Sequence, residues 1–259
     1  DTREKTLFLA RDRVGKKPLL YSHQPNGSII FGSEFRALLA HPDVSREVEP
    51  RAIDNYLSFL CVPAPMTAFR SIRKLRPGHW LRWKDGKVET RRYWLPDFSK
   101  KIKISEAEAI EETTRLLREA TKIRLISEVP LGAFLSGGVD SSIVAALMAE
   151  VSDRSVKTFS IGFEEQDYSE LKYARRVAEH IGAEYNEFVV RPNALEVLPV
   201  LVEHYGEPYA DSSAIPTYYV AKETRKHVTV ALNGDGGDES FAGYERYAAM
   251  KLAECYQRI

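Results

Sequence analysis

The amino-acid sequence predicts an α/β protein with a parallel sheet, preceded by a β-rich segment. Three observations support this prediction. Residues 1–95 contain short strand-like runs divided by turn residues, and a polar stretch over 96–104 follows them. From Ser105 onward, short apolar runs alternate with helix-length patterns, which is typical of parallel strands joined by right-handed helical crossovers. We therefore predict two domains, at 1–95 and 105–259, with 96–104 as a linker.

The first segment is predicted to consist mostly of strands and turns. Asp85-Gly86 is a strong hairpin signal between two strand-like runs. Pro50 suits the first position of a helix because its fixed φ fits there and its missing N–H is not needed. The predicted elements are strands over Leu7–Arg11, Pro18–Ser22, Ser28–Gly32, His79–Lys84 and Lys87–Tyr93, and helices over Ser33–His41 and Pro50–Leu60.

The second segment begins with a helix signal. Ser105 and Glu108 have the spacing of a capping box, and apolar residues follow at helical spacing. Strands and helices then alternate, and ligands of parallel sheets bind outside the carboxyl ends of the strands. The predicted strands are 131–135, 156–162, 184–190 and 228–232, and the predicted helices lie near 141–151, 169–182, 193–204 and 215–226.

Composition limits the function classes. Lys plus Arg number 37 and Asp plus Glu number 37, so net charge gives no global attraction to nucleic acid or to an anionic membrane. No apolar run approaches the roughly 20 residues that a membrane helix needs. Cys61 and Cys255 lie far apart, which fits a reducing compartment and argues against a disulfide scaffold or a zinc site. We expect a cytoplasmic protein without nucleic-acid or membrane partners.

The strongest candidate site is Ser136-Gly137-Gly138-Val139-Asp140-Ser141-Ser142, which joins an apolar strand to an apolar helix. Glycines let backbone N–H groups approach an anion, and a helix N-terminus adds positive potential. Asp140 supplies a carboxylate for a magnesium ion on a pyrophosphate. The loop lacks the Lys of a Walker A motif, and Phe134 stands where a nucleophile elbow needs Gly. This pattern predicts phosphate binding, with a simple helix-capping turn as the alternative.

A second candidate is Asn233-Gly234-Asp235-Gly236-Gly237-Asp238-Glu239, which follows another apolar strand. Three carboxylates among three glycines are costly to hold together without a cation. Asp235 and Asp238 are therefore candidate magnesium ligands, since Mg²⁺ prefers a few carboxylates plus phosphate oxygens. A solvated acidic turn is the alternative, and EF-hand spacing is absent.

Taken together, these motifs resemble the glutamine-dependent asparagine synthetase family. The first loop is similar to the family's SGG-L/V-DSS pyrophosphate loop, and the second resembles its SGEGSDE or GDGGDE stretch. The resemblance covers essentially the whole chain. Further stretches that resemble the family, in the same order along the chain, are Ala10–Leu19, Phe31–Glu34, Thr158–Phe163 and Asp211–Thr217.

The resemblance implies a Rossmann-like ATP pyrophosphatase domain after the β-rich end of an Ntn-type α+β glutaminase domain. It implies conversion of aspartate, glutamine, ATP and water to asparagine, glutamate, AMP and diphosphate through β-aspartyl-AMP, with ATP and Mg²⁺ bound. The substrates would be small molecules: aspartate, glutamine or ammonia, and ATP. The resemblance does not fix the oligomeric state, and a homodimer is one arrangement compatible with it.

The resemblance also assigns roles to individual residues. Asp140 and Asp238 would hold the metal. Asp235 would be catalytic, and it stands where one version of the motif has Glu, so its carboxylate has a shorter reach. The residues implied to contact ATP are Leu135, Ser136, Gly137, Gly138, Asp140, Ser141, Ser142, Ile161, Asn233 and Gly234.

Two departures from the family are visible. The N-terminal Cys nucleophile of its glutaminase is absent, and its catalytic Lys and Asp would lie beyond residue 259. The chain starts without Met and stops in a helical pattern, so we expect a piece of a longer protein that cannot hydrolyse glutamine alone.

The sequence is compatible with three alternative functions. They are an amidotransferase for another carboxylate, such as a surface saccharide or an antibiotic precursor; an ATP pyrophosphatase of another class; and a non-enzymatic ATP-binding module. Asp167 and Glu170, after the strand that contains Ile161, are weaker candidates for contact with substrate.

Overall fold

The computed structural model describes residues 1–163 and 170–257. The weaker candidate Asp167 and the start of the helix predicted at 169 lie outside the described residues, as do Arg258 and Ile259. Two compact units can be distinguished. The first, called unit 1 below, comprises Asp1–Ile102 and Asn193–Ala214, and the second, unit 2, comprises Lys103–Pro192 and Ile215–Ile259.

Strands and helices occur along the chain in the following positions. The strands are β1 (Thr6–Ala10), β2 (Leu20–His23), β3 (Ile29–Gly32), β4 (Arg73–Lys74), β5 (His79–Lys84), β6 (Lys87–Arg92), β7 (Leu131–Phe134), β8 (Lys157–Phe163), β9 (Glu184–Val190) and β10 (Val230–Leu232). The helices are α1 (Phe35–Leu39), α2 (Pro50–Phe59), α3 (Glu106–Arg124), α4 (Val139–Val151), α5 (Leu171–His180), α6 (Ala194–Tyr205), α7 (Ala214–Thr224), α8 (Gly237–Phe241) and α9 (Glu245–Tyr256).

Unit 1 contains two antiparallel three-stranded sheets, with strand orders β1-β5-β6 and β3-β2-β4. The predicted hairpin is confirmed: Lys84 pairs with Lys87, and Asp85 and Gly86 both have positive φ, as tight hairpin turns require. A small apolar core supports the second sheet. Its buried members are Leu20, Phe35, Leu38, Val44 and Ile72.

Unit 2 contains a parallel four-stranded sheet in the order β10-β7-β8-β9, which confirms the predicted α/β fold. All neighbouring pairs are parallel, so the carboxyl ends of the four strands lie at one edge. Because β10 pairs directly with β7, the loops that follow these two strands are neighbours. The sheet packs on a core whose buried members are Ala133, Leu135, Ala145, Met148, Val156, Ala174 and Ala178.

Several bounds differ from the predictions. Strand β2 begins at Leu20 and not at Pro18, since Pro has no N–H for a strand ladder. Helix α4 begins at Val139, two residues early, which puts Asp140 in its first turn. Beyond the last predicted helix, the chain forms two further helices, α8 and α9, separated at Ala242, which has φ 58°. Strand β4 has two residues, too few for a periodic pattern to predict.

The predicted helix over 193–204 forms as α6, but it belongs to unit 1 and not to the parallel-sheet unit. Tertiary contacts account for this placement. A Cβ on Gly206 would lie 2.5 Å from the Phe35 Cβ, so the chain after α6 lies directly on that ring. Glu207 forms an ion pair with Lys74 and accepts a hydrogen bond from the Ala68 N–H at 3.2 Å. These contacts involve distant residues, which local patterns do not encode.

Candidate functional site

The first loop leaves the sheet at a fixed point. Leu135 is buried, its N–H donates to the Phe159 carbonyl at 2.9 Å, and its carbonyl accepts from the Ser160 hydroxyl at 2.5 Å. Both partners belong to β8, so the neighbouring strand holds the residue that precedes the loop. The backbone position from which Ser136 starts is therefore set before any ligand binds.

Serine hydroxyls close the loop on itself. Ser136 Oγ lies 2.9 Å from Ser141 Oγ and accepts from the Gly138 N–H at 3.2 Å. The Ser142 hydroxyl donates to the Gly138 carbonyl at 2.6 Å. Gly138 is the N-cap of α4, so these bonds curl the loop over the positive end of that helix. Such an arrangement favours an anion at this point.

Gly137 holds the loop against α5. It has φ +87°, and a Cβ there would lie 2.5 Å from the Ala174 N and 2.6 Å from the Tyr173 Cβ. Two constraints therefore require glycine, the left-handed backbone and the contact with the first turn of α5.

The second loop lies directly on the first. A Cβ on Gly234 would lie 2.8 Å from the Ser141 N, and one on Gly237 would lie 2.3 Å from the Asp140 Cγ. The structure thus brings the two loops together at the start of α4. The Asp140 carboxylate faces the backbone of Gly237 at this junction.

Asp235 and Asp238 of the second loop have different surroundings. The Asn233 Nδ2 donates to the Asp235 carboxylate at 2.6 Å. The Asp238 Oδ1 lies beside Gly243, whose added Cβ would be 2.0 Å away. Among residues 1–163 and 170–257, no three His, Cys, Asp or Glu side chains gather into a metal site. A magnesium ion carried by phosphates needs only one or two carboxylates, so the roles expected of Asp140 and Asp238 stay a prediction.

Glu239 in α8 and Tyr244 at the start of α9 form a separate pair. The Tyr244 hydroxyl donates to Glu239 Oε1 at 2.7 Å. This hydrogen bond raises the pKa of Tyr244 to about 12 and lowers the pKa of Glu239. The Arg246 guanidinium lies 4.5 Å from the centre of the Tyr244 ring. The Glu239 carboxylate is thus bonded to Tyr244, and no role in catalysis or metal binding is predicted for it.

A pocket of about 250 Å³ opens beside the first loop. Of the residues expected to contact ATP, Leu135, Ser136 and Ile161 line it. Sequence reasoning assigned no role to Phe163, Pro216 or Val220, which also line it. Pro216 lies in Asp211–Thr217, one of the stretches that resemble the family, and this resemblance could have indicated its place in the site. The remaining lining residues are Phe134, Phe159, Ser160, Glu170, Leu171 and Ala174.

Comparison with known proteins identifies the family of this chain. Residues 112–259, more than half of the chain, match the family model Asparagine synthase. The chain belongs to the asparagine synthase family. Outside that region, residues 1–94 match the model of the Glutamine amidotransferase domain.

Relatives in the asparagine synthase family extend well beyond this chain. The chain is 38% identical to asparagine synthetase (glutamine-hydrolyzing) 1 of Bacillus subtilis, over 98% of this chain and 40% of that protein. It is also 38% identical to a putative asparagine synthetase (glutamine-hydrolyzing) 2 of Methanocaldococcus jannaschii, over 94% of this chain and 48% of that protein. The chain thus spans less than half the length of these relatives.

A solved structure, NH3-dependent NAD synthetase from Campylobacter jejuni, overlaps 52% of this chain and 60% of its own. The sequence identity is 15% and the TM-score is 0.36, too low to bear on the fold. No helix among residues 1–163 and 170–257 has the length and apolar character to cross a membrane.

Proposed function

We propose that the protein containing this chain is a glutamine-hydrolysing asparagine synthetase, a carbon–nitrogen ligase. It would convert aspartate, glutamine, ATP and water to asparagine, glutamate, AMP and diphosphate. The main structural support is the junction of the two loops at the N-terminus of α4, where Asp140 faces Gly237. Membership of the asparagine synthase family and relatives named glutamine-hydrolyzing support the choice of reaction. These comparisons do not favour another acceptor carboxylate.

The two half-reactions follow from leaving-group chemistry. A carboxylate oxygen of aspartate attacks the α-phosphorus of ATP, and pyrophosphate leaves. The nitrogen of ammonia then attacks the acyl carbon of β-aspartyl-AMP, and AMP leaves with the acyl–oxygen electron pair while a proton is lost. The chain's part is to hold the nucleotide and stabilise the charge that develops on pyrophosphate.

Nucleotide binding is assigned along the pocket and loops. Leu135 and Ile161 would contact the base. The loop from Ser136 to Ser142, including Gly137, Gly138 and Ser141, would hold the phosphates through N–H groups and hydroxyls at the helix N-terminus. Asn233 and Gly234 would close the opposite side.

Carboxylates supply the remaining roles. Asp140 and Asp238 would hold Mg²⁺, which neutralises charge on the departing pyrophosphate when bound. Asp235 would act at the acyl-adenylate, held at the end of β10 by its hydrogen bond from Asn233. We expect a cytoplasmic enzyme of small substrates, and its balanced charge gives no global attraction to nucleic acid or to an anionic membrane. Light scattering would test whether it forms a homodimer.

Pyrophosphate release tests the reaction. The intact protein is supplied with aspartate, Mg·ATP and ammonia, which makes the assay independent of glutamine hydrolysis. We expect AMP and pyrophosphate as products, and omission of aspartate or Mg²⁺ should abolish their formation. Formation of ADP and phosphate, or activity with a different carboxylate in place of aspartate, would contradict the proposal.

Substitution of Asp140 tests the site. Asp140→Asn keeps the size of the side chain but removes its charge, so we expect pyrophosphate release to fall at least about 100-fold. Asp153→Asn, at an exposed turn after α4, is the matched control and should retain activity. Near-normal turnover of the Asp140 variant would remove this residue from the metal site.

A further inference from the structure

The first turn of α5 packs between β8 and the first loop, Ser136–Ser142. A Cβ on Gly162, near the end of β8, would lie 2.2 Å from the Leu171 Cδ1, so Leu171 occupies the space of a missing side chain. Gly137 makes a similar approach to Ala174, as described above. Two glycines thus let this turn pack against the strand and the loop at once. A side chain at the start of α5 consequently has a defined place beside the pocket.

Glu170 is that residue. Its carbonyl accepts hydrogen bonds from the N–H groups of Tyr173 at 2.9 Å and Ala174 at 3.2 Å, which fixes its backbone as the N-cap of α5. Its side chain makes no capping hydrogen bond. Within the described part of the chain, no cation or donor engages its carboxylate, which is exposed and lines the pocket.

The pocket combines apolar side chains with the start of the first loop. Phe159 and Leu135 are almost completely buried and make an apolar floor suited to a flat base. Ser136, the first residue of the loop Ser136–Ser142, lines the same pocket. If the base packs on these apolar side chains and the phosphates bind the loop, the ribose that joins them lies in this pocket, which the exposed Glu170 also lines.

Charge and hydrogen-bonding capacity indicate which part of a nucleotide the Glu170 carboxylate can bind. An ionised carboxylate only accepts hydrogen bonds, and it repels phosphate. Ribose hydroxyls are donors, and bonds to a charged acceptor are the stronger ones. Dinucleotide-binding α/β folds use an acidic residue on the ribose in a comparable manner.

We propose that the Glu170 carboxylate accepts a hydrogen bond from a ribose hydroxyl of ATP and thereby favours nucleotides with an intact ribose over a 2′-deoxy or 3′-deoxy analogue. This inference rests on the proposed ATP-dependent function. Glu170 is a specificity residue, since it touches the part of the nucleotide that does not react.

Calorimetric titration of the protein with Mg·ATP and with Mg·2′-deoxy-ATP and Mg·3′-deoxy-ATP tests the proposal. Wild type should bind ATP about tenfold or more tightly than the weaker deoxy analogue, as expected for one charge-assisted hydrogen bond. Glu170→Ala should weaken ATP binding by a similar factor and leave that analogue unchanged, so that the preference disappears. Glu170→Gln, which retains an acceptor oxygen, should keep part of it.

Glu179→Gln is the matched control, because Glu179 is exposed on the same helix and does not line the pocket; it should retain the wild-type preference. The proposal is overturned if Glu170→Ala weakens all three nucleotides equally. A further titration with Mg·ITP tests contact with the base. The proposal is also overturned if Glu170→Ala changes only the ratio of ATP to ITP affinity, since the carboxylate would then contact the base. Wild-type protein that binds no nucleotide would instead refute the proposed function itself.

Discussion

Glycines at the loop junction are constrained by their surroundings in two different ways. Gly137 has a left-handed backbone and also touches α5, so its φ alone would favour glycine. Gly234 and Gly237 lack that backbone constraint, yet an added Cβ would meet the first turn of α4 within 3 Å. The sequence identifies all three as turn glycines. Only the structure shows that two of them are required for close approach to Asp140 and Ser141.

Gly237→Ala should therefore affect catalysis more than stability. The added Cβ would displace the Asp140 carboxylate, which is the flexible end of a side chain, and alanine suits the helical backbone of α8. We expect pyrophosphate release to fall by up to about 100-fold with little change in Tm. Ser240→Ala, exposed on α8, is the control. Unchanged pyrophosphate release in the Gly237 variant would show that the position of Asp140 is unimportant.

Helix ends illustrate what an element's own sequence specifies. In α3 both halves of the predicted capping box form: the Ser105 N–H donates to Glu108 Oε2 at 2.8 Å, and the Glu108 N–H donates to Ser105 Oγ at 3.3 Å. The helix start is thus where the local pattern places it. At α4 the apolar pattern alone suggested a start near 141, but Gly138 caps the helix and brings Asp140 into its first turn.

Ser105→Ala should destabilise α3 without touching the site. Loss of an N-cap hydroxyl costs about 1 kcal/mol, and we expect that decrease in the free energy of unfolding measured by urea denaturation. Nucleotide affinity should stay at the wild-type value. Ser105→Asp, which keeps an acceptor at the cap, should restore most of the lost stability, and an equal loss in both variants would refute the capping role.

At the scale of the whole molecule, the chain leaves unit 2 after β9, adds residues 193–214 to unit 1, and returns at α7. An ion pair between Lys74 and Glu207 attaches residues 193–214 to the rest of unit 1, and these side chains are only 19% and 12% exposed. The Lys74 Nζ also donates to the Val62 carbonyl at 2.7 Å. Burial raises the pKa of Glu207 above its ordinary 4.5, while Lys74 opposes that rise. Folding consequently depends on keeping this buried carboxylate paired.

Lys74→Met should leave Glu207 buried and unpaired, and lower the free energy of unfolding by about 3–5 kcal/mol at neutral pH. The folded state then binds a proton more readily than the unfolded state, so stability falls as pH rises above about 4.5. Denaturation at several pH values should show the deficit shrinking as pH falls towards that value. The double variant Lys74→Met with Glu207→Gln should recover stability at neutral pH, and no recovery would contradict the pairing argument.

The sequence by itself determined the local features: the hairpin at Asp85-Gly86, the capping box at Ser105, the α/β alternation, and two glycine-rich loops after apolar strands. Each is encoded by neighbouring residues through turn geometry, capping or periodicity. Family resemblance added the roles of Asp140, Asp235 and Asp238, which stay predictions until they are tested.

Tertiary structure alone decided how these features combine. It paired β10 with β7, which brought Gly237 onto Asp140, and it assigned α6 to unit 1. It also placed Pro216, Val220 and Glu170 around one pocket. The physical reason is that strand order and close packing depend on contacts between residues far apart in the chain, whereas periodicity and turn signals extend over only a few residues.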